Sequence, residues 1–131
     1  MIILKSFLIL SLFTAFQPVD NQKVMSQAPK IISFYTDYPK DGIWVQIPKG
    51  TKKITFNVKA DNTETVLFWL IPTGTHTWNK RKLIGYDIKK DDKDNQFSIT
   101  WIIDRPSLLD HLYIQALGEG IANDTLNLYM E

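Results

Sequence analysis

The sequence predicts an all-β fold, an antiparallel β-sandwich of seven or eight strands. Residues 66–71 (VLFWLI) are an apolar run that stops at a proline and a Thr-Gly-Thr turn, which favours a buried strand over a helix. Residues 53–60 alternate polar and apolar side chains, as expected of a strand with one face in the core. No stretch after residue 30 shows helical periodicity over the length that a helix needs.

Each predicted strand is a short run bounded by turn residues. In chain order, the strands are residues 30–35, 43–47, 53–60, 66–71, 83–86, 96–103, 111–117 and 125–130. Both alternating faces of residues 66–71 are apolar, so this strand is predicted to be central and buried on both sides. Trp69 is therefore predicted to lie in the core, and Trp101, on the apolar face of the alternating strand at 96–103, is predicted to lie there too. The alternation in residues 111–117 does not indicate which parity faces inward.

A single domain is predicted over residues 30–131, because a chain of 131 residues that is 44% hydrophobic and 22% charged has little room for a second core. Residues 1–26 are predicted to be a signal peptide or an N-terminal anchor with a polar linker, since residues 1–16 are mostly apolar with one lysine near the start. This indicates a secreted or cell-surface protein. An uncleaved anchor stays open, although the apolar run is shorter than the ~20 residues that usually span a bilayer.

The charge and cysteine content exclude several classes of partner. The chain has 15 basic and 14 acidic residues, and removal of residues 1–26 would take away two lysines and one aspartate, which leaves it neutral. A neutral surface argues against nucleic acid, and membrane contact is expected only through an uncleaved N-terminus. The chain has no cysteine and only two, widely separated histidines, so we predict no disulfide, no metal site and no cofactor. The protein is expected to be a monomer.

The order of short motifs carries a resemblance to a known family. The motifs are VLFWL, LIGYD, QFSITWIID, HLYIQALGEG and DTLNLYM between Val66 and Met130, with a looser match over residues 31–60. In this order they resemble the bacterial immunoglobulin-like domains of exported and cell-surface proteins, mainly through the steps Leu-Ile-Gly at 83–85 and Trp-Ile-Ile-Asp at 101–104. The resemblance implies an immunoglobulin-like sandwich that lacks the cysteine pair of antibody domains. It also makes Tyr113 a candidate for the corner tyrosine of such folds.

No set of residues in the sequence predicts catalysis. Asp110 and His111 are adjacent and Ser107 is near, but neighbours in a strand point to opposite faces, which prevents a direct hydrogen bond between Asp110 and His111 on one side of a sheet. A small sandwich offers no cleft for the paired carboxylates of a glycosidase, for which the candidates near strand ends are Glu64, Glu119 and Glu131. We therefore predict a non-enzymatic binding module for a surface protein or a glycan. A carbohydrate-binding accessory module and a small secreted hydrolase stay open as alternatives.

The predicted ligand-binding residues are Trp78, Lys80 and Arg81. They lie in the polar link over residues 73–82, where Trp78 stands outside any apolar pattern and three consecutive cations follow it closely. Trp and Arg are favoured anchors of binding surfaces. Trp78 is expected either to form a lid packed over the end of the sandwich or to be an exposed contact for a sugar ring, an acidic polymer or a partner protein.

Overall fold

The computed structural model describes residues 27–92 and 94–131, so the predicted signal peptide lies outside the described residues. The described chain contains nine strands and one short 3-10 turn, Trp78–Lys80. The strands are β1 Lys30–Thr36, β2 Lys40–Asp41, β3 Trp44–Ile47, β4 Lys53–Asp61, β5 Thr65–Pro72, β6 Lys82–Ile88, β7 Gln96–Ile102, β8 Leu108–Leu117 and β9 Ile121–Met130. Eight of them coincide with predicted strands. The additional strand is β2, two residues long, where the sequence predicts a turn.

The strands form two sheets that pack face to face. One sheet has the order β1-β4-β7, and the other has the order β2-β3-β9-β8-β5-β6. Neighbouring strands are antiparallel except β3 and β9, which are parallel. The prediction of an all-β sandwich is therefore confirmed.

The core between the sheets is built from alternate residues of the longer strands. On β4 the inward side chains include Phe56 and Val58, and on β8 they are the even-numbered residues, among them Leu112 and Ile114. Trp101 of β7 is 7% exposed and lies in this core, as predicted. Phe56, Leu112 and Ile114 have no exposed surface, so apolar burial, which contributes about 25 cal/mol per Å², is the main source of stability in a chain without cysteine.

The prediction that residues 66–71 are buried on both faces is wrong for most of the strand. On β5 the inward residues Val66 and Phe68 are fully buried, whereas Leu67 and Trp69 are only partly buried on the opposite side. The reason is that β5 belongs to the six-stranded sheet, and its second face turns away from the three-stranded sheet. Trp69 is thus a residue of the outer surface, where its indole Nε1 donates a hydrogen bond to Gln115 Oε1 at 2.8 Å.

The hairpin of β8 and β9 is longer than the sequence indicates. The ladder is continuous from the Leu117–Ile121 pair next to the turn to the Leu108–Met130 pair at the far end. Backbone pairing extends the strands over residues whose side chains show little apolar pattern, because ladder hydrogen bonds do not depend on side-chain type. In this hairpin Tyr113 faces outward, so its interpretation as a corner tyrosine is wrong.

Polar contacts tie the two sheets together at their edges. The Asp87 carboxylate of β6 accepts a hydrogen bond of 2.8 Å from the backbone N–H of Ser98 on β7. After β7, Arg105 Nε donates to Asp104 Oδ1 at 2.9 Å, and Lys82 Nζ lies 3.4 Å from Asp104 Oδ2. The hydrogen bond from Arg105 is the main reason that the pKa of Asp104 lies below its ordinary value, with Lys82 adding to the effect.

Candidate functional site

The outer face of the six-stranded sheet is the side turned away from the core. Directly opposed residues on neighbouring strands share a face, so the pairing places the residues of this face in rows. One row runs from Ile71 through His111 and Asn127 to Trp44, and the next contains Trp69, Tyr113 and Thr125. Exposed apolar side chains continue the outer face toward β6 and along the β8–β9 hairpin: Leu83, Tyr86, Ile88, Leu109, Ile121 and Tyr129.

An open groove of about 370 Å³ lies on this outer face. Its volume falls within the range of small-molecule sites, about 300–1,000 Å³. Ile71 is the most buried of its residues. The groove is lined by Ile71, Trp78, His111, Tyr113, Thr125 and Asn127.

Trp78 forms a wall of the groove and is held there by two ring contacts. Its ring meets that of Tyr113 edge to face, with centroids 5.1 Å apart. The guanidinium carbon of Arg81 lies 4.4 Å from the centroid of Trp78 and 5.1 Å from that of Trp69. Arg81 also donates a hydrogen bond to the Trp78 carbonyl oxygen at 3.0 Å. Although it makes these contacts, Trp78 remains 47% exposed.

The three predicted binding residues have different surroundings. Trp78 lines the groove, and Arg81 touches Trp78 but has its guanidinium between two indole rings. Lys80 is exposed and is not among the residues that line the groove. Trp78 lies against Tyr113 on the outer face of the sheet rather than over the end of the sandwich.

A chain of hydrogen bonds orients His111 at the groove. The Nδ1 atom of His111 lies 2.6 Å from Asn127 Oδ1, and Asn127 Nδ2 donates to the carbonyl oxygen of Ile43 at 3.1 Å. The ring of His111 is stacked on that of Trp44, with centroids 6.2 Å apart and an angle of 25° between the planes. Both contacts restrict rotation of the imidazole.

Sequence reasoning missed most residues of the groove. In the sequence, His111 bears on catalysis and on metal binding, neither of which is predicted, and nothing singles out Thr125 and Asn127. The available signal was that every second position carries a polar or aromatic side chain, at 111, 113 and 115 and again at 125, 127 and 129. It becomes a site only when the register pairs His111 with Asn127 and Tyr113 with Thr125.

The side chains that line the groove are aliphatic, aromatic or hydrogen-bonding. None of the residues that line it is Asp, Glu, Lys or Arg. Asp110, next to His111 in the chain, is buried on the opposite side of the sheet, where Arg105 Nη1 lies 3.5 Å from its carboxylate. Within residues 27–92 and 94–131, no group of three or more His, Asp or Glu side chains is arranged to hold a metal ion.

The described part of the chain forms no helix with the length and apolar character needed to cross a membrane. No protein-family model matches the sequence, and no curated protein matches it.

Proposed function

We propose that this protein is a secreted or surface-associated module with an immunoglobulin-like fold that acts by binding and not by catalysis. The observation that carries the proposal is the groove, where Trp78 is held by Tyr113 and Arg81 and remains 47% exposed. A large aromatic side chain that is already fixed loses little conformational freedom when a ligand arrives, which favours affinity.

The strand order supports the immunoglobulin-like part of the proposal. In such sandwiches strands A, B and E share one sheet, while G, F and C share the other, with C′ added beside C in variable-type domains. The sheet β1-β4-β7 has the order expected of A, B and E, and β9-β8-β5-β6 has the order expected of G, F, C and C′. The site then lies on the outward side of the G, F and C strands.

Two further observations support export and binding. The apolar residues 1–16 with an early lysine are typical of a secretory signal peptide. Asp110 and His111, the pair considered for catalysis, lie on opposite sides of their sheet, so the Asp110 carboxylate does not orient the imidazole.

A screen of the purified protein against arrays of glycans and cell-surface proteins tests the proposal. The Trp78→Ala variant is expected to lose binding to the ligand that the screen finds. Tyr35→Ala, which removes an exposed aromatic from β1 on the other sheet, is the matched control and is expected to bind as the parent does. Circular dichroism of both variants checks that they are folded. A folded Trp78→Ala protein with unchanged binding, or a parent that binds nothing in either array, would contradict the proposal.

A further inference from the structure

The hydrogen bonds around His111 determine which ring nitrogen carries the proton. Asn127 Nδ2 can only donate, and its partner is the carbonyl oxygen of Ile43, so the amide oxygen of Asn127 must face His111. That oxygen can only accept, and therefore Nδ1 of His111 donates in the 2.6 Å contact. In the neutral imidazole Nε2 is then left without a hydrogen and is a hydrogen-bond acceptor.

The acceptor at Nε2 is available to a ligand. Within the described residues, no side chain or backbone group forms a hydrogen bond with Nε2. The stacking of His111 on Trp44 holds the ring in place, so Nε2 is offered in one orientation. A ligand that uses it must bring an O–H or N–H donor.

The rest of the groove selects for a neutral ligand with an apolar face. Trp78 and Tyr113 supply aromatic surface, Ile71 supplies aliphatic surface, and the hydroxyl of Thr125 can donate or accept. Arg81 contacts the groove residue Trp78, but its guanidinium lies between two indole rings and donates to a backbone carbonyl. An anionic ligand would therefore lose its hydration on entering the groove and would gain no charged partner there, which is unfavourable.

We propose that the groove binds an uncharged sugar ring, with the C–H face of the ring against Trp78 and a sugar hydroxyl donating to Nε2 of His111. This inference rests on the proposed function, because it names the ligand of the same site. A sugar ring combines what the groove requires: hydroxyl donors around its rim, apolar C–H groups on its faces and no charge. Asn127 is a positioning residue, since it acts on the ligand through the tautomer of His111.

Calorimetric titration with short neutral oligosaccharides tests the ligand class. The probes are glucose, mannose, xylose and N-acetylglucosamine oligomers, and galacturonate oligomers serve as the acidic comparison. At least one neutral probe is expected to bind, and His111→Phe, which keeps a ring beside Trp44 but removes Nε2, is expected to weaken that binding about tenfold or more. Tyr35→Ala is expected to leave it unchanged.

Nitrogen-15 NMR of the histidine rings tests the tautomer directly. In the free protein, Nδ1 of His111 is expected to carry the hydrogen and Nε2 to show the signal of a bare nitrogen, which shifts when the neutral sugar is added. His76, exposed in the loop before Trp78, is the internal control and is expected to stay unchanged. The Asn127→Leu variant is expected to mix the two tautomers and to bind the sugar more weakly.

Three results would overturn the inference. They are binding of acidic oligomers alone, a neutral sugar whose affinity His111→Phe does not change, and a hydrogen on Nε2 in the free parent protein. Capture of a protein ligand at the Trp78 surface without sugar binding would overturn the sugar as ligand and leave the proposed binding function standing. The two proposals therefore fail separately.

Discussion

Adjacent residues on β5 offer a sharp test of which face is core. Phe68 is fully buried between the sheets, and Trp69 is partly buried on the outer face. Replacing Phe68 by alanine should destabilise the protein by about 3–5 kcal/mol, since it removes the transfer free energy of the ring and leaves a cavity. A folded unit of this size has a total stability of about 5–15 kcal/mol, so the variant should be marginally stable.

Replacing Trp69 by alanine removes smaller terms. The hydrogen bond from its indole to Gln115 contributes about 1 kcal/mol, and the contact with Arg81 about 0.5–1 kcal/mol. With some loss of partly buried surface, the total should be about 2 kcal/mol. Phe68→Ala should therefore lower the free energy of unfolding more than Trp69→Ala does, although phenylalanine is the smaller side chain.

Urea unfolding followed by far-ultraviolet circular dichroism measures both variants without relying on tryptophan fluorescence. For a slope of about 2 kcal/mol per molar urea, the midpoint should fall by about 1.5–2.5 M for Phe68→Ala and about 1 M for Trp69→Ala. An equal or larger loss for Trp69→Ala would refute the assignment of faces on β5 and, with it, the location of the groove.

Three other outcomes are expected. Gly118→Ala should lower the melting temperature markedly, because a Cβ at this position would collide with the backbone carbonyl of Asn62. The matched control in the same calorimetric measurement is Gly120→Ala, where a Cβ would make ordinary contact. Because the pKa of Asp104 is lowered in the folded protein, the contribution of its carboxylate to stability is present above about pH 4 and is lost as the pH falls through the folded-state pKa. Urea midpoints should therefore drop less between pH 7 and pH 3 in Asp104→Asn than in the parent. Mass spectrometry of the exported protein should find an N-terminus near Gln27, and a product that retains residues 1–16 would show an anchor instead.

Much of the fold was predictable because a strand with one covered face leaves a period of two in the sequence. Residues 53–60 show that period, and β4 lies at Lys53–Asp61 with Phe56 and Val58 inward, as expected. The strand at 66–71 was predictable for a different reason, since a short apolar run that stops at a proline and a turn favours a buried strand. Its faces were not distinguished, since Phe68 and Trp69 are equally apolar and either parity satisfies the pattern.

The site depended on information that the sequence does not state directly. Trp78 was singled out as an aromatic outside any pattern, and it does line the groove. Its neighbours there come from three strands, and only the pairing of β5, β8 and β9 places Ile71, His111 and Asn127 in one row. The tautomer of His111 follows only from a further contact, the hydrogen bond that Asn127 donates to the carbonyl oxygen of Ile43, a residue distant in the sequence.

Eight of the nine strands of the described chain follow from local sequence, because alternation and turn residues are local properties of the chain; β2, two residues long, does not. Only the assembly of the strands into two sheets establishes which face of the six-stranded sheet lacks a partner sheet, and hence that Trp69 and Tyr113 lie on its outer face. Whether a face is covered depends on which strands join which sheet. Several long-range strand pairings are compatible with the same local sequence pattern, so that pattern does not select among them. The groove exists because the observed pairing places apolar and hydrogen-bonding side chains together on the outer face of the six-stranded sheet.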